Sequence, residues 1–325
     1  MQQQTPSPDL PFVNIAYYKF VNIIDPQALR EVLLNLCNSL NIKGTIILAE
    51  EGINSCLVGS PEGIDSYIEF MHNHEYFSDV EFKKSYSDHI PFRRMIIKVK
   101  QEIIPMGMES IKPAHFTGKY VDALELKKWL DEGEELVILD TRNDYEVELG
   151  TFRNAIDPKL KKFRDFPEWI RDNFKEYKSK KVVTFCTGGI RCEKATAFMR
   201  QEGFEEVYQI QGGILKYFEE TLKEAPNEDN HYDGDCFVFD YRVAVDKQLN
   251  ESKYEICYSC WTPLKQDDLK SPMYKADHHC PHCYDKFHER EARRKNTMLE
   301  NNMRALKVRQ ERAKQVREKW EKGLL

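Results

Sequence analysis

Residues 182–198 read VVTFCTGGIRCEKATAF. The β-branched run Val182–Phe185 predicts a short buried strand. It stops at Cys186, passes Gly188, Gly189 and Arg191, and resumes as a helical pattern near Cys192. Parallel sheets gather their ligand sites at the C-terminal ends of strands, and Cys186 falls at such an end. The two glycines let successive backbone N–H groups curl inward, a nest for negative charge. The following helix adds the positive end of its dipole, and Arg191 supplies a fixed cation. All three favour the thiolate, which is the reactive form of cysteine. The plainer alternative is a turn with an inert buried cysteine.

The flanks support a parallel α/β sheet. DALELKKWLDEG, ELVILDTR, FPEWIRDNFKEY, KKVVTF, CEKATAFMRQEG and EVYQIQGG alternate helical and short apolar segments as far as Leu222. Strands separated by helices imply a sheet covered on both faces. Upstream, FVNIAYYKF alternates as a strand. DPQALREVLLNLCNSLN follows as a helix with Asp25 as cap, Pro26 at its first position, and Leu29, Val32, Leu33 and Leu36 at helical spacing. GTIILAEEG and INSCLVGS read as strands, SPEGIDSYIEFMHNH as a capped helix, and VEFKKSY and RRMIIKVK as further strands. The order β-α-β-β-α-β gives a ferredoxin-like (acylphosphatase-like) α+β domain over residues 12–103, a fold that names no function by itself. Cys37 and Cys56 fall in its apolar segments and read as core.

The expected organisation is therefore α/β and multidomain. Residues 1–11 form a flexible tail, 12–103 the ferredoxin-like domain, and 104–116 a linker. Residues 117–228 form the central α/β domain, 229–284 a cysteine-rich segment, and 285–325 a basic helical tail. A chain of 325 residues with 41% apolar side chains suits several globular domains. MQQQTPSPDLPF has neither a basic nor an apolar leader region, and no apolar run approaches a membrane span, so a soluble cytoplasmic protein is expected.

Nine cysteines in such a setting read as metal and chemistry, not as a disulfide framework. Cys257, Cys260, Cys280 and Cys283 give Cys-x2-Cys-x19-Cys-x2-Cys, two knuckles that complete a tetrahedral zinc site. With four thiolates and no open position, that zinc is structural. His278, His279 and His282 are spare ligands. Cys236, in CFVFDYRVAV, reads as core. Net charge is −6, but residues 285–325 carry +6 and the first 284 residues −12. Leu299, Met303, Leu306, Ala313 and Trp320 give the tail a thin apolar stripe, broken by Gln310 and Arg317. It is either a solvated helix or an arm whose Arg293, Arg294, Lys295, Lys307, Arg309, Arg312, Lys314 and Arg317 neutralise RNA phosphates.

Four residues separate Cys186 from Arg191, one fewer than in cysteine phosphatases, and the tighter ring suits a single sulfur carried on the cysteine. LDTRNDYEVELGTFRNAI, FCTGGIRCEKA and YQIQGGI together resemble a rhodanese domain. That resemblance implies a persulfide on Cys186, with Thr187, Gly188, Gly189 and Ile190 lining the substrate cradle and Arg191 and Cys192 joining the chemistry. Where rhodaneses often have Gly-His-Ile-Pro-Gly-Ala, this chain has Gly150-Thr-Phe-Arg-Asn-Ala, which speaks against thiosulfate as substrate. Cys192 resolves a persulfide, forms a disulfide with Cys186, or packs against the sheet. Asp140, Arg142 and Glu146 either orient the cradle or serve structure.

Across nearly its whole length, the chain resembles the bacterial TrhO family of rhodanese-domain tRNA uridine hydroxylases. The ferredoxin-like front, CTGGIRCEKA, GDCFVFDYRVAVD, the paired Cys-x-x-Cys motifs and the basic end carry that resemblance. It implies oxygen-dependent conversion of the wobble uridine of tRNA to 5-hydroxyuridine, with molecular oxygen as co-substrate and tRNA as partner. The residues themselves display no 2-His-1-carboxylate set of obvious spacing and no dinucleotide fingerprint, so no organic cofactor is identified. They name no electron or sulfur donor and no oligomeric state. The alternative activity is a sulfurtransferase that passes sulfane sulfur to a thiol or protein acceptor.

Overall fold

The computed structural model describes residues 10–295 apart from 227, 241, 258 and 261, together with 298, 300 and 303. In the N-terminal domain, β1 (Phe12–Phe20) turns Val13, Ile15 and Tyr17 into the core. Strand alternation sends Ala16 and Tyr18 to the other face. Helix α1 (Pro26–Ser39) starts at Asp25, whose carboxylate accepts from the amides of Gln27 and Ala28. Its buried stripe runs Leu29, Leu33, Cys37, an i, i+4, i+8 line that leaves Val32 exposed. Next come β2 (Lys43–Ala49), β3 (Gly52–Gly59), the Ser60-capped helix α2 (Pro61–His72), β4 (Lys83–Ser87) and β5 (Met95–Val99). The sheet order is β4-β1-β3-β2-β5. The fifth strand, expected from RRMIIKVK, lies parallel to β2 at the edge of the β-α-β-β-α-β unit. Cys37 is core, whereas Cys56 is half-buried on the opposite sheet face.

The central domain contains β6 (Lys119–Val121), α3 (Ala123–Asp131), β7 (Leu136–Asp140), α4 (Asp144–Val147), β8 (Gly150–Phe152), α5 (Phe166–Asn173), β9 (Lys181–Phe185), α6 (Ile190–Gln201), β10 (Glu206–Ile210) and α7 (Gly213–Glu224). Strands β6-β10-β9-β7 form a parallel sheet. Val182 packs into one cluster with Phe166, Ile170 and Phe198, while its neighbour Val183 packs into another with Ile214, Tyr217 and Phe218. Both faces are therefore covered, as parallel strands require. Helix α6 is buried nearly all round, from Arg191 to Met199.

Two connecting stretches belong to this domain's core. Met106 and Ile111, between the two domains in sequence, pack with Leu139 and Phe198. Strand β11 (Tyr232–Gly234) pairs with β8, and β12 (Cys236–Phe237) forms a hairpin with β13 (Ala244–Val245). Tyr232, Cys236, Val238 and Val245 fill the sheet's second face.

Residues from Tyr254 onward form a separate unit. It contains β14 (Glu255–Ile256) paired with β15 (Pro263–Leu264), α8 (Gln266–Lys270) and a helix over residues 284–295. Arg293, Arg294 and Lys295 lie exposed on that helix. The other expected tail residues, Leu299, Leu306, Lys307, Arg309, Gln310, Arg312, Ala313, Lys314, Arg317 and Trp320, lie outside the described residues, as do residues 1–9. Among the described residues no helix is long and apolar enough to cross a membrane.

Candidate active site at the Cys186 loop

Cys186 follows the last residue of β9 and is 2% exposed. Its surroundings are polar. The amide of Gly189 donates to Cys186 Sγ at 3.1 Å, and the amide of Arg191 also bonds the sulfur. Gly189 has φ +99°, and a Cβ there would meet the Tyr18 hydroxyl at 2.7 Å. Glycine is required both by the turn and by the close packing above it. Behind the loop, a Cβ on Gly213 would lie 2.5 Å from the Cys186 carbonyl. The second Gly-Gly pair, at 212–213, thus lets α7 begin directly against the cysteine loop.

Burial alone pushes the Cys186 thiol up. A hydrogen bond from Cys192, the Arg191 guanidinium and the amides of Arg191 and Gly189 outweigh it, and the thiol is lowered to about 6. Cys192 moves the other way. It is fully buried, and burial together with the neighbouring Cys186 raises its thiol well above the ordinary range. Cys192 therefore serves as donor to the Cys186 sulfur, with Thr141 Oγ1 3.7 Å from its own sulfur. No disulfide joins the two cysteines in this structure.

Arg191 is held by Glu146, with Nη1 to Oε2 at 2.8 Å and the carboxylate fully buried. Of the three charged residues noted at the β7 end, Glu146 touches the cradle. Asp140 and Arg142 pair with each other at 2.6 Å, both fully buried, and tie Thr151, Tyr232 and the Gly150 carbonyl into the domain floor. Thr187 gives its hydroxyl to the Phe237 carbonyl at 3.0 Å, which fixes the β12–β13 hairpin against the loop. Gly188 turns its carbonyl to Lys83 Nζ at 3.1 Å. Ile190 opens α6 and is half-buried.

The N-terminal domain completes the site, which the loop sequence gives no means of seeing. Lys83 is registered opposite Ala16, so it shares the sheet face of Tyr18, away from the helices. Its ammonium donates to the carbonyls of Gly188 and Gly212. Burial lowers Lys83 to about 8, opposed by the Cys186 charge. Tyr18 donates to Glu193 at 3.3 Å, and Tyr120, Thr117 and Gln209 converge on the same carboxylate. The next residue of α6, the fully buried Lys194, pairs with Glu51 at 2.8 Å and Glu102 at 2.6 Å.

A second cluster lies in the C-terminal unit. The sulfurs of Cys257, Cys260, Cys280 and Cys283 all fall within 4.8 Å of one another. Sulfur–sulfur distances of 3.6 Å for Cys260–Cys280, and 3.8 Å for Cys257–Cys283 and Cys280–Cys283, match the edge of a tetrahedron with metal–sulfur bonds of ~2.3 Å. The four cysteines could therefore bind a metal. His279 instead bonds the Met273 carbonyl, His282 meets Asp268, and His278 lies against the Phe287 ring.

Residues 12–103 match the UPF0176 acylphosphatase-like domain, and residues 122–220 match the rhodanese-like domain. Among solved structures, the rhodanese-like domain of an Anabaena protein shares 23% identity. It covers 36% of this chain and 80% of that one, with a TM-score of 0.29. A rhodanese-related protein of Thermoplasma volcanium shares 24% identity, covering 31% and 92% of the two chains, with a TM-score of 0.26. A protein of Rhizobium leguminosarum bv. trifolii (strain WSM2304) named tRNA uridine(34) hydroxylase is 45% identical over 275 residues, which is 85% of this chain and 87% of that protein. A shared identity of that depth over both domains places the chain in the tRNA uridine(34) hydroxylase family, the TrhO family.

Proposed function

We propose that this protein hydroxylates the wobble uridine of tRNA to 5-hydroxyuridine, with Cys186 as the sulfur-bearing centre. The observation that carries the site assignment is the Cys186 sulfur itself, bonded by the Gly189 amide at 3.1 Å. The overall reaction replaces the C5–H bond of uracil by C5–OH. With O2 as oxidant, one oxygen atom enters the base. The other leaves as water, taking two electrons and two protons from a two-electron reductant.

The residues divide the work as follows. The amides of Gly189 and Arg191 and the Arg191 guanidinium hold negative charge on sulfur, as thiolate or persulfide. Glu146 orients Arg191, and Cys192 donates its proton toward the Cys186 sulfur. Gly188, Gly189 and Ile190 form the rim of the cradle, with Thr187 locking the loop to the neighbouring hairpin. The relative's name, the cradle and the exposed Arg293, Arg294 and Lys295 support tRNA as partner. Four thiolates at tetrahedral spacing fit zinc best, and Cys257, Cys260, Cys280 and Cys283 would hold it as a structural ion outside the reaction.

Nucleoside mass spectrometry on tRNA from cells with and without this chain tests the activity. The deletion should deplete wobble 5-hydroxyuridine, and re-expression should restore it, whereas Cys186→Ser should not. Unchanged 5-hydroxyuridine in cells with no second route to it would refute the assignment. Efficient thiosulfate turnover with no RNA dependence would favour the sulfurtransferase instead.

A further inference from the structure

The hairpin beside the Cys186 loop presents an aromatic ring to solvent where core packing does not call for one. Phe239 is 57% exposed, among the most exposed large apolar side chains of the described residues. Its ring is nonetheless held in place. The Arg191 guanidinium lies over it at 5.5 Å from the ring centroid. Phe237 meets it edge-on at 5.1 Å, and Tyr145 meets Phe237 edge-on at 5.3 Å.

The backbone that carries Phe239 is equally fixed. Cys236 and Phe237 pair with Val245 and Ala244, and the Val238 amide donates to the Val243 carbonyl at 2.9 Å. Asp240 closes the turn by accepting from the Arg242 backbone amide at 3.0 Å and pairing with its guanidinium at 2.7 Å. Thr187, next to Cys186, bonds the Phe237 carbonyl at 3.0 Å. Arg191 therefore links the reacting sulfur, on its inner side, to an exposed aromatic ring on its outer side.

We infer that Phe239 is the stacking platform for the target uracil base. This rests on the reading of the chain as a tRNA uridine hydroxylase. Chemistry on a base requires the base out of its stack, and single-stranded loop nucleotides are recognised by splaying the base onto an aromatic or guanidinium plane. Phe239 provides the exposed aromatic surface, and the buried Arg191 guanidinium backs it from the inner side. A rigid ring takes a base with little loss of side-chain freedom, since its own order is set beforehand by the hairpin. The platform is a substrate-positioning residue and reads the planarity of the base, not its sequence.

The test is a binding cycle at fixed salt, using the full chain and its Phe239→Ala and Phe239→Trp variants. The two ligands are an unmodified tRNA with a wobble uridine and the same tRNA made abasic at that nucleotide. Phe239→Ala should weaken binding of the uridine tRNA by about 5-fold or more, the lower end for base–aromatic stacking, and leave the abasic tRNA unaffected. Phe239→Trp should regain the affinity. Single-turnover hydroxylation should fall and recover in parallel, while the pH profile of Cys186 alkylation stays where it is. Equal losses on both RNAs, or unchanged affinity for the uridine tRNA, would overturn the platform. If the wild-type chain hydroxylates normally in that case, the platform alone fails. If the wild-type chain hydroxylates no tRNA, the underlying reading fails with it.

Discussion

At Cys186, desolvation and hydrogen bonding oppose one another, and the hydrogen bonds win. A thiol sealed among aliphatic side chains behaves like Cys37, which burial alone pushes up to about 12. Cys186 is also buried, yet the hydrogen bond from Cys192, the Arg191 guanidinium and two amides bring it to about 6. At pH 7 such a group is roughly nine-tenths thiolate, against a few per cent for an ordinary cysteine. The sign is testable with a small alkylating reagent. Modification of Cys186 should rise through pH 6 and level off by about pH 7.5. Arg191→Gln should shift that rise upward by about 1–3 pH units, because removing a nearby cation disfavours the anion. A profile rising only above pH 8 in the wild type would contradict the cradle. This much was legible in the sequence, because the strand end, the two glycines and the arginine are neighbours along the chain. The partner of Arg191 was only half legible. Asp140, Arg142 and Glu146 all lie near the end of β7, and only the fold shows that Glu146 meets Arg191 while the other two satisfy each other.

At the scale of elements, α6 is the axle of the first unit. Its N-terminus faces Cys186, Glu193 gathers Tyr18 and Tyr120, and Lys194 pairs with Glu51 and Glu102. Lys194→Met leaves two buried carboxylates without their cation, and should cost about 3–5 kcal/mol of unfolding free energy, measured by denaturant titration. Burial raises Glu102, but Lys194 and the amides of Met106 and Gly107 lower it further, so its carboxyl titrates below its unfolded value. Its stabilising share is therefore full above the unfolded pKa and is lost as pH falls through the folded one. The Lys194→Met variant should accordingly lose part of the wild type's acid sensitivity. Lys83 and Tyr18 were not legible as site residues. They lie 105 and 175 residues from their partners Gly188 and Glu193, in strands whose alternation fixes a shared face but not what that face meets. Strand β5 was legible as RRMIIKVK, but its place beside β2, through a parallel and non-local pairing, was not.

For the molecule as a whole, the chain divides at Tyr254 into a two-domain unit carrying the cysteine loop and a cysteine-clustered unit. The four clustered thiolates lie in paired motifs that sequence spacing reveals directly, and the observed sulfur separations agree with one tetrahedral ion. If these cysteines hold the proposed metal, chelation or Cys280→Ser should abolish the unfolding transition of the C-terminal unit and leave that of the first unit within about 1 °C, as followed by calorimetry. The role of residues 229–253 was harder to read. The expected grouping joins them to the cysteine-rich segment 229–284, yet Tyr232, Cys236 and Val245 are core residues of the central sheet, and Phe239 rides on the same hairpin. As proposed above, one ionised sulfur, Cys186, drives an oxygen-dependent hydroxylation of tRNA. Its most direct measurement is nucleoside analysis after purified protein is incubated with unmodified tRNA and a thiol reductant, under air and under nitrogen. Wild-type protein should yield 5-hydroxyuridine under air and none under nitrogen, and Cys186→Ser none under either. Equal product from Cys186→Ser, or product formed by the wild type without oxygen, would contradict it.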